Sequence, residues 1–174
     1  MRNEKLVQLS ARNFMQKNGS CYPVNLQHIA QQGNIQICYI DDMPHNVNGA
    51  TIPLQDGSYI IAIRSRQPLL NERFSIAREI AHIVLGHSAE GIIITSTQGI
   101  FPGDWESYTF ALEMLVPLDE LKYTLSTYEV PDIDKLCTLF GVSGEIIIER
   151  LNEIGLIQSN PTLPYTLSLV SCGT

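Results

Sequence analysis

Glu79 and His82 lie three residues apart in Arg78-Glu79-Ile80-Ala81-His82. On a helix, residues three and four apart share one face, so positions 78, 79 and 82 would project near one another. Histidines at both 78 and 82 would grip one Zn²⁺, with Glu79 as general base toward the metal-bound water. A third protein ligand would come from elsewhere and leave a fourth position open. Position 78 is Arg, however, which is cationic at any relevant pH and has no lone pair for a metal. Losing one of four ligands lowers zinc affinity by about 10²–10³. A guanidinium about 5 Å from the ion adds repulsion on the order of 6 kcal/mol at an effective dielectric of about 20. The residues therefore predict zinc that is weakly bound or absent. By itself, Glu-x-x-His is also an ordinary pairing on a helix surface.

The element that must carry this chemistry is a helix over about 71–86, with Asn71 as cap and Gly86 as terminator. On a continuing helix His87 would point about 140° away from His82. If Gly86 breaks the helix, His87 could turn back and replace the lost ligand. Upstream, periodicity predicts helices over 3–17 and 25–33, the second capped by Asn25, then a strand over 35–40. "GATIPL" and "SYIIAI" flank Gln55-Asp56-Gly57 as a hairpin, and Pro53 suggests that its first strand lies at an edge. "GIIIT" (91–95) reads as a short strand and 96–103 as a loop. Asp104 reads as the cap of a helix to about Leu115, ended by Val116-Pro117 and followed by a further short helix. Two helices around Gly141-Val142-Ser143 close the pattern, with Ser143 as cap and Gly155 as stop; 159–174 reads as an irregular tail. Helices, a small antiparallel sheet and then helices make an α+β plan.

Composition limits the function classes. An apolar fraction of 44% over 174 residues supplies a core for one domain, or one with a small appendage. The net charge of −7 disfavours phosphate-backbone binding and favours a basic or neutral partner. Cys21, Cys38, Cys137 and Cys172 form no C-x-x-C pair, which suits reduced thiols. Neither a secretion signal nor a membrane-length apolar run is present, so a cytoplasmic location is expected.

The helix segment "RFSIAREIAHIVLGH" resembles the "RFTxAHExGHxxLHH"-like helix of the ImmA/IrrE family of zinc metallopeptidases. "DWESYTFALEMLVP" (104–117) is similar to the family's second motif, "E-x-E-A-N-x-F-A-x-E-L-L-M-P". That resemblance places the third zinc ligand on Glu106, with Ser107 and Tyr108 where Ala-Asn is usual. "PVNLQHIAQQGNIQI" and "LCTLFGVSGEIIIERLNEIGLI" extend the resemblance over most of 1–158. It implies a zincin-like domain over 1–125, a C-terminal helical hairpin of the same unit over 126–158, and a tail over 159–174. The implied site comprises Glu79 as catalytic base and His82 and Glu106 as remnant zinc ligands, with Arg78 in place of the first His and His87 as a possible addition. Arg78 would pair with Glu106 and take over the metal's electrostatic role. The bland alternative is a solvated Arg78.

The resemblance also implies a protein or peptide partner, of the helix-turn-helix repressor type. The leading expectation is a protein with an impaired site that binds such a regulator without cleaving it. The rival is a working zinc endopeptidase using His82, Glu106 and an atypical third ligand, with Arg78 conceivably an engineered or accidental substitution. Whether the chain is an enzyme stays open at this point. Residues 134–154 imitate a helix-turn-helix, a DNA-binding alternative. The would-be recognition helix carries Glu145, Glu149 and Glu153 against Arg150, so a packed hairpin is favoured over direct nucleic-acid binding. Arg64, Arg66 and Arg73 form the one basic cluster, which either rims the cleft or lies in a solvated loop. His28 and His45 read as surface residues, and Trp105 and Tyr108 as core packing or cleft lining.

Overall fold

The computed structural model describes residues 3–19, 21–96, 103–127 and 132–156. Helix α1 (Glu4–Asn18) is capped by Asn3, whose side chain accepts from the Lys5 N–H, and buries Val7, Ala11 and Met15. Helix α2 (Leu26–Gln32) begins at the expected cap, Asn25, and leads into strand β1 (Ile35–Ile40). Strands β2 (Val47–Pro53) and β3 (Tyr59–Arg64) form the expected hairpin. Asp56 holds its turn by accepting from the Ser58 N–H at 3.0 Å. Strand β4 (Ile93–Ser96) completes a sheet of order β1-β3-β2-β4.

Two expectations about this sheet are corrected. The sheet is mixed: β2 runs antiparallel to β3 and β4, but β1 runs parallel to β3. With β4 on the far side of β2, the open flank of β3 is the place left for β1. Nor is β2 an edge strand. Pro53 fits an interior strand because β4 pairs only as far as Thr51, so the missing N–H falls beyond the covered stretch.

Helix α3 (Leu69–Val84) starts two residues before the expected cap. Pro68 stands at its N-cap, and Asn71 lies inside, its N–H donating to the Pro68 carbonyl. Proline's fixed φ suits a helix start, where its absent N–H costs nothing. Helix α4 (Asp104–Leu115) opens from Gly103, so Asp104 is its first residue and not its cap. Helices α5 (Leu118–Thr127), α6 (Ile133–Phe140) and α7 (Gly144–Glu153) follow, with Ser143 at the last N-cap as expected.

The core lies between the sheet and α1, α3 and α4, where Ile61, Ile63, Ile80, Phe110 and Met114 are sealed from solvent. A charged clasp joins α1, α4 and α7. Glu113, fully buried, accepts from Arg12 Nε at 2.6 Å and from Arg150 Nη2. Arg150 Nε donates to the Val116 carbonyl at 2.9 Å and Nη1 to Glu153 at 2.5 Å. The would-be recognition helix therefore turns its one cation inward, 1% exposed.

The basic cluster is spent on local structure. Arg64 donates to the Val47 and Pro44 carbonyls, and Arg73 to those of Gly141 and Val24. Arg66 stays in solvent, 3.8 Å from Asp41. Cys21, Cys38 and Cys137 are free thiols, and His28 and His45 are exposed. No helix among the described residues is long and apolar enough to cross a membrane. Cys172 and the tail 159–174 lie outside the described residues.

Candidate functional site

Helix α3 crosses the sheet with residues 75–77 and 79–82 buried. Glu79 reaches β2, where Thr51 Oγ1 donates to Glu79 Oε2 at 2.7 Å. The carboxyl group occupies the space left by Gly49, at which a Cβ would come within 2.7 Å of Glu79 Oε1. Among the described residues, Oε1 has no hydrogen-bond partner. Burial raises the Glu79 pKa to about 7; the Thr95 and Thr51 hydroxyls and the Arg78 charge pull it back only partly. Near neutral pH this carboxyl is thus shared between its protonated and ionised forms.

His82, also fully buried, continues into a polar chain. After α3, Gly86 adopts a left-handed conformation (φ 76°, ψ 17°), and the 3₁₀ turn His87–Glu90 folds back. His87 therefore returns to the site and does not point away as a continuing helix would require. Its Nδ1 lies 2.9 Å from His82 Nδ1, and its Nε2 lies 3.1 Å from Glu106 Oε2. Thr95 Oγ1 sits 3.4 Å from His82 Nε2. The donor and acceptor roles along this chain depend on the tautomers of the two rings; one that fits has His82 Nδ1–H donating to His87 Nδ1 and His87 Nε2–H to Glu106. It keeps the His82 ring neutral, in accord with a His82 pKa lowered to about 3, first by burial.

Arg78 does not pair with Glu106 as expected. Its Nη2 donates to Asp104 Oδ1 at 3.0 Å, and its Cζ lies 5.9 Å from the Tyr108 ring centroid. The reason is helical register: Asp104 and Glu106 are two apart on α4, about 200° around its axis, so they face different neighbours. Nor is Arg78 a solvated residue, its side chain being 12% exposed. Asp104, Thr51, Thr95 and Gly49 went unrecognised in the sequence as parts of the site. An acid in the first turn of the ligand-bearing helix was the available signal for Asp104; the other three depend on sheet register.

The structure thus gathers Glu79, His82, His87 and Glu106, but their donors do not fit a zinc ion in this arrangement. His87 gives one ring nitrogen to His82 and the opposite one to Glu106, so the three ligand-type groups lie in a line instead of around a point. Tetrahedral zinc needs its donors to converge at 2.0–2.2 Å. Arg78 holds the remaining ligand position with a cation. Among the described residues no set of three His, Cys, Asp or Glu side chains is arranged to hold a metal.

Beside the site a cleft of about 690 Å³ opens between α3, α4 and the start of α7, with Arg78, Asp104, Trp105, Tyr108 and Phe74 in its walls. Both aromatic residues flanking Glu106 therefore line it while packing against the core.

Comparison with known proteins accords with this architecture. A Mycobacterium tuberculosis transcriptional regulator of known structure superposes with a TM-score of 0.60 at 18% identity, covering 85% of this chain and 46% of that one. The present chain thus spans about half the length of that protein, and the likeness is one of fold. No curated protein gives a significant match. The profile of the IrrE N-terminal-like domain matches residues 30–152, from α2 through α7. Because that span holds the Glu79–His82 helix, the Glu106 helix and the sheet between them, the chain belongs to the IrrE N-terminal-like domain family.

Proposed function

We propose that this chain keeps the shape of a metallopeptidase site without its metal, and acts by binding a protein partner, of the helix-turn-helix regulator type, without hydrolysing it. The observation that carries this reading is the Arg78–Asp104 ion pair at the first ligand position, 3.0 Å across and largely buried. A metal would have to approach a guanidinium already fixed in place, and it would have to break the line Glu106–His87–His82 to collect ligands. What the site still offers is a structured cleft with aromatic and amide-bearing walls, suited to a polypeptide segment.

Metal analysis tests the reading. The purified protein, incubated with zinc and desalted, is expected to retain no stoichiometric metal, whereas Arg78→His gains affinity because it removes the cation and restores a donor one turn from His82. One zinc per unaltered chain, lost on His82→Ala, would overturn the proposal in favour of a working peptidase.

A further inference from the structure

The cleft beside Arg78 continues into a second depression of about 420 Å³, and the two share Tyr108 and Thr109. Side by side the two make a groove along α4 and α7, crossed at Tyr108 by its hydrogen bond to Glu149, with Glu4 and Gln8 of α1 in the far wall. Its charges are lopsided. Glu4, Glu145, Glu149 and Glu153 are all exposed along it. The two arginines in its lining are paired: Arg78 to Asp104 in the same wall, and Arg150, 1% exposed, to Glu113 and to Glu153, which leaves Glu4, Glu145 and Glu149 without a cation beside them among the described residues. Every exposed charged residue lining the groove is therefore negative, on a chain whose net charge is −7.

The walls add two further features. Phe74, Trp105 and Tyr108 present aromatic surface, which attracts cations as well as apolar groups. Trp105 Nε1 in the first depression and Asn152 Oδ1 in the second are buried without hydrogen-bond partners among the described residues. These are one donor and one acceptor, the complements of a backbone carbonyl and a backbone N–H.

We infer that this groove binds an extended, lysine- or arginine-rich segment of a partner protein. Its cationic side chains would meet Glu145 and Glu149 and lie over the aromatic wall. This deepens the partner-binding reading proposed above and rests on it. Acidic grooves steer and select basic partners through complementary potential, an effect that salt weakens.

The test uses the full chain and two fluorescein-labelled twelve-residue peptides of equal apolar content, one rich in Arg and Lys and the other rich in Glu, followed by anisotropy at low and high salt. The basic peptide should bind and the acidic one should not, with affinity falling as salt rises. Glu145→Arg should weaken binding about tenfold or more. Glu72→Arg, an equal charge change on α3 outside the groove lining, should leave binding within about twofold, which separates the groove from net charge alone. Equal binding of both peptides, equal loss in both variants, or preferential binding of a single-stranded oligonucleotide would overturn the assignment. The readout does not involve metal, so a zinc-binding chain that still selects the basic peptide would sink the metal-free reading while leaving the groove assignment standing.

Discussion

Two arginine–carboxylate pairs join α4 to its neighbours, and they are built differently. Arg150 is sealed, and all three of its guanidinium nitrogens donate, to Val116, Glu153 and Glu113. Arg78 sits in a cleft wall with Nη2 on Asp104 and with Nε buried and unmatched. The buried glutamates near them differ in the same way. Glu113 is held by two guanidinium groups, whereas Glu79 has hydroxyls for company and a raised pKa. A saturated buried pair acts as a fastener, because breaking it strands a charge away from water. An unsaturated set with unmatched atoms stabilises little and is kept for something other than stability.

The sharpest way to break this comparison is to remove each cation in turn. Arg150→Met should destabilise the fold by about 3–5 kcal/mol in urea unfolding, since Glu113 would keep Arg12 alone. A loss below about 1 kcal/mol would show that the clasp is not the fastener described here.

Replacing Glu79 comes next in size. Its folded pKa of about 7 lies above the ordinary 4.5, so stability is at its full value below pH 4.5 and falls as pH rises to 7. At about 1.4 kcal/mol per pH unit the total is about 3 kcal/mol. Glu79→Gln abolishes that fall, so its stability relative to the parent should climb between pH 4.5 and 7 and then level off. His82 acts with the opposite sign: its folded pKa, lowered to about 3 from 6.5, means that stability present above pH 6.5 is lost as pH falls toward 3. In the Gln variant only this acid-side loss should remain. A parallel pH profile for parent and variant would refute the buried, protonated Glu79.

Gly49→Ala should cost about 2 kcal/mol, because the new methyl meets Glu79 Oε1 at 2.7 Å. Part of that cost should vanish in combination with Glu79→Asp, a coupling that a double-mutant cycle reads directly. The smallest effect belongs to Arg78→Met, about 1 kcal/mol, since Asp104 stays in the favourable first turn of α4. If Arg78→Met proved as damaging as Arg150→Met, the distinction between fastener and cleft residue would collapse.

The chemistry of this site was partly legible without coordinates. Arg78 marked the departure from the family motif, because a guanidinium has no lone pair to give a metal. The motif resemblance brought Glu106 to the same spot, and the structure places it there. The pairing of Arg78 was misread because the family's ligand position drew attention to Glu106 and away from Asp104, whose first-turn carboxylate faces α3. His87 hinged on one glycine: whether Gly86 merely ends the helix or also reverses the chain depends on its φ, and no residue pattern reports that angle.

The sequence by itself determined the order and approximate extent of the helices, the hairpin at Asp56-Gly57, and the pair of motifs that carry the family resemblance, because each rests on local periodicity, turn signals and residue chemistry. Only the tertiary structure decided that β1 runs parallel to β3, that Glu79 lies over Gly49, and that His82, His87 and Glu106 form a line. It also decided that the acidic residues of α7 border a groove shared with α4. Those outcomes depend on register and packing between segments distant in the chain, where a shift of one residue exchanges buried for exposed faces.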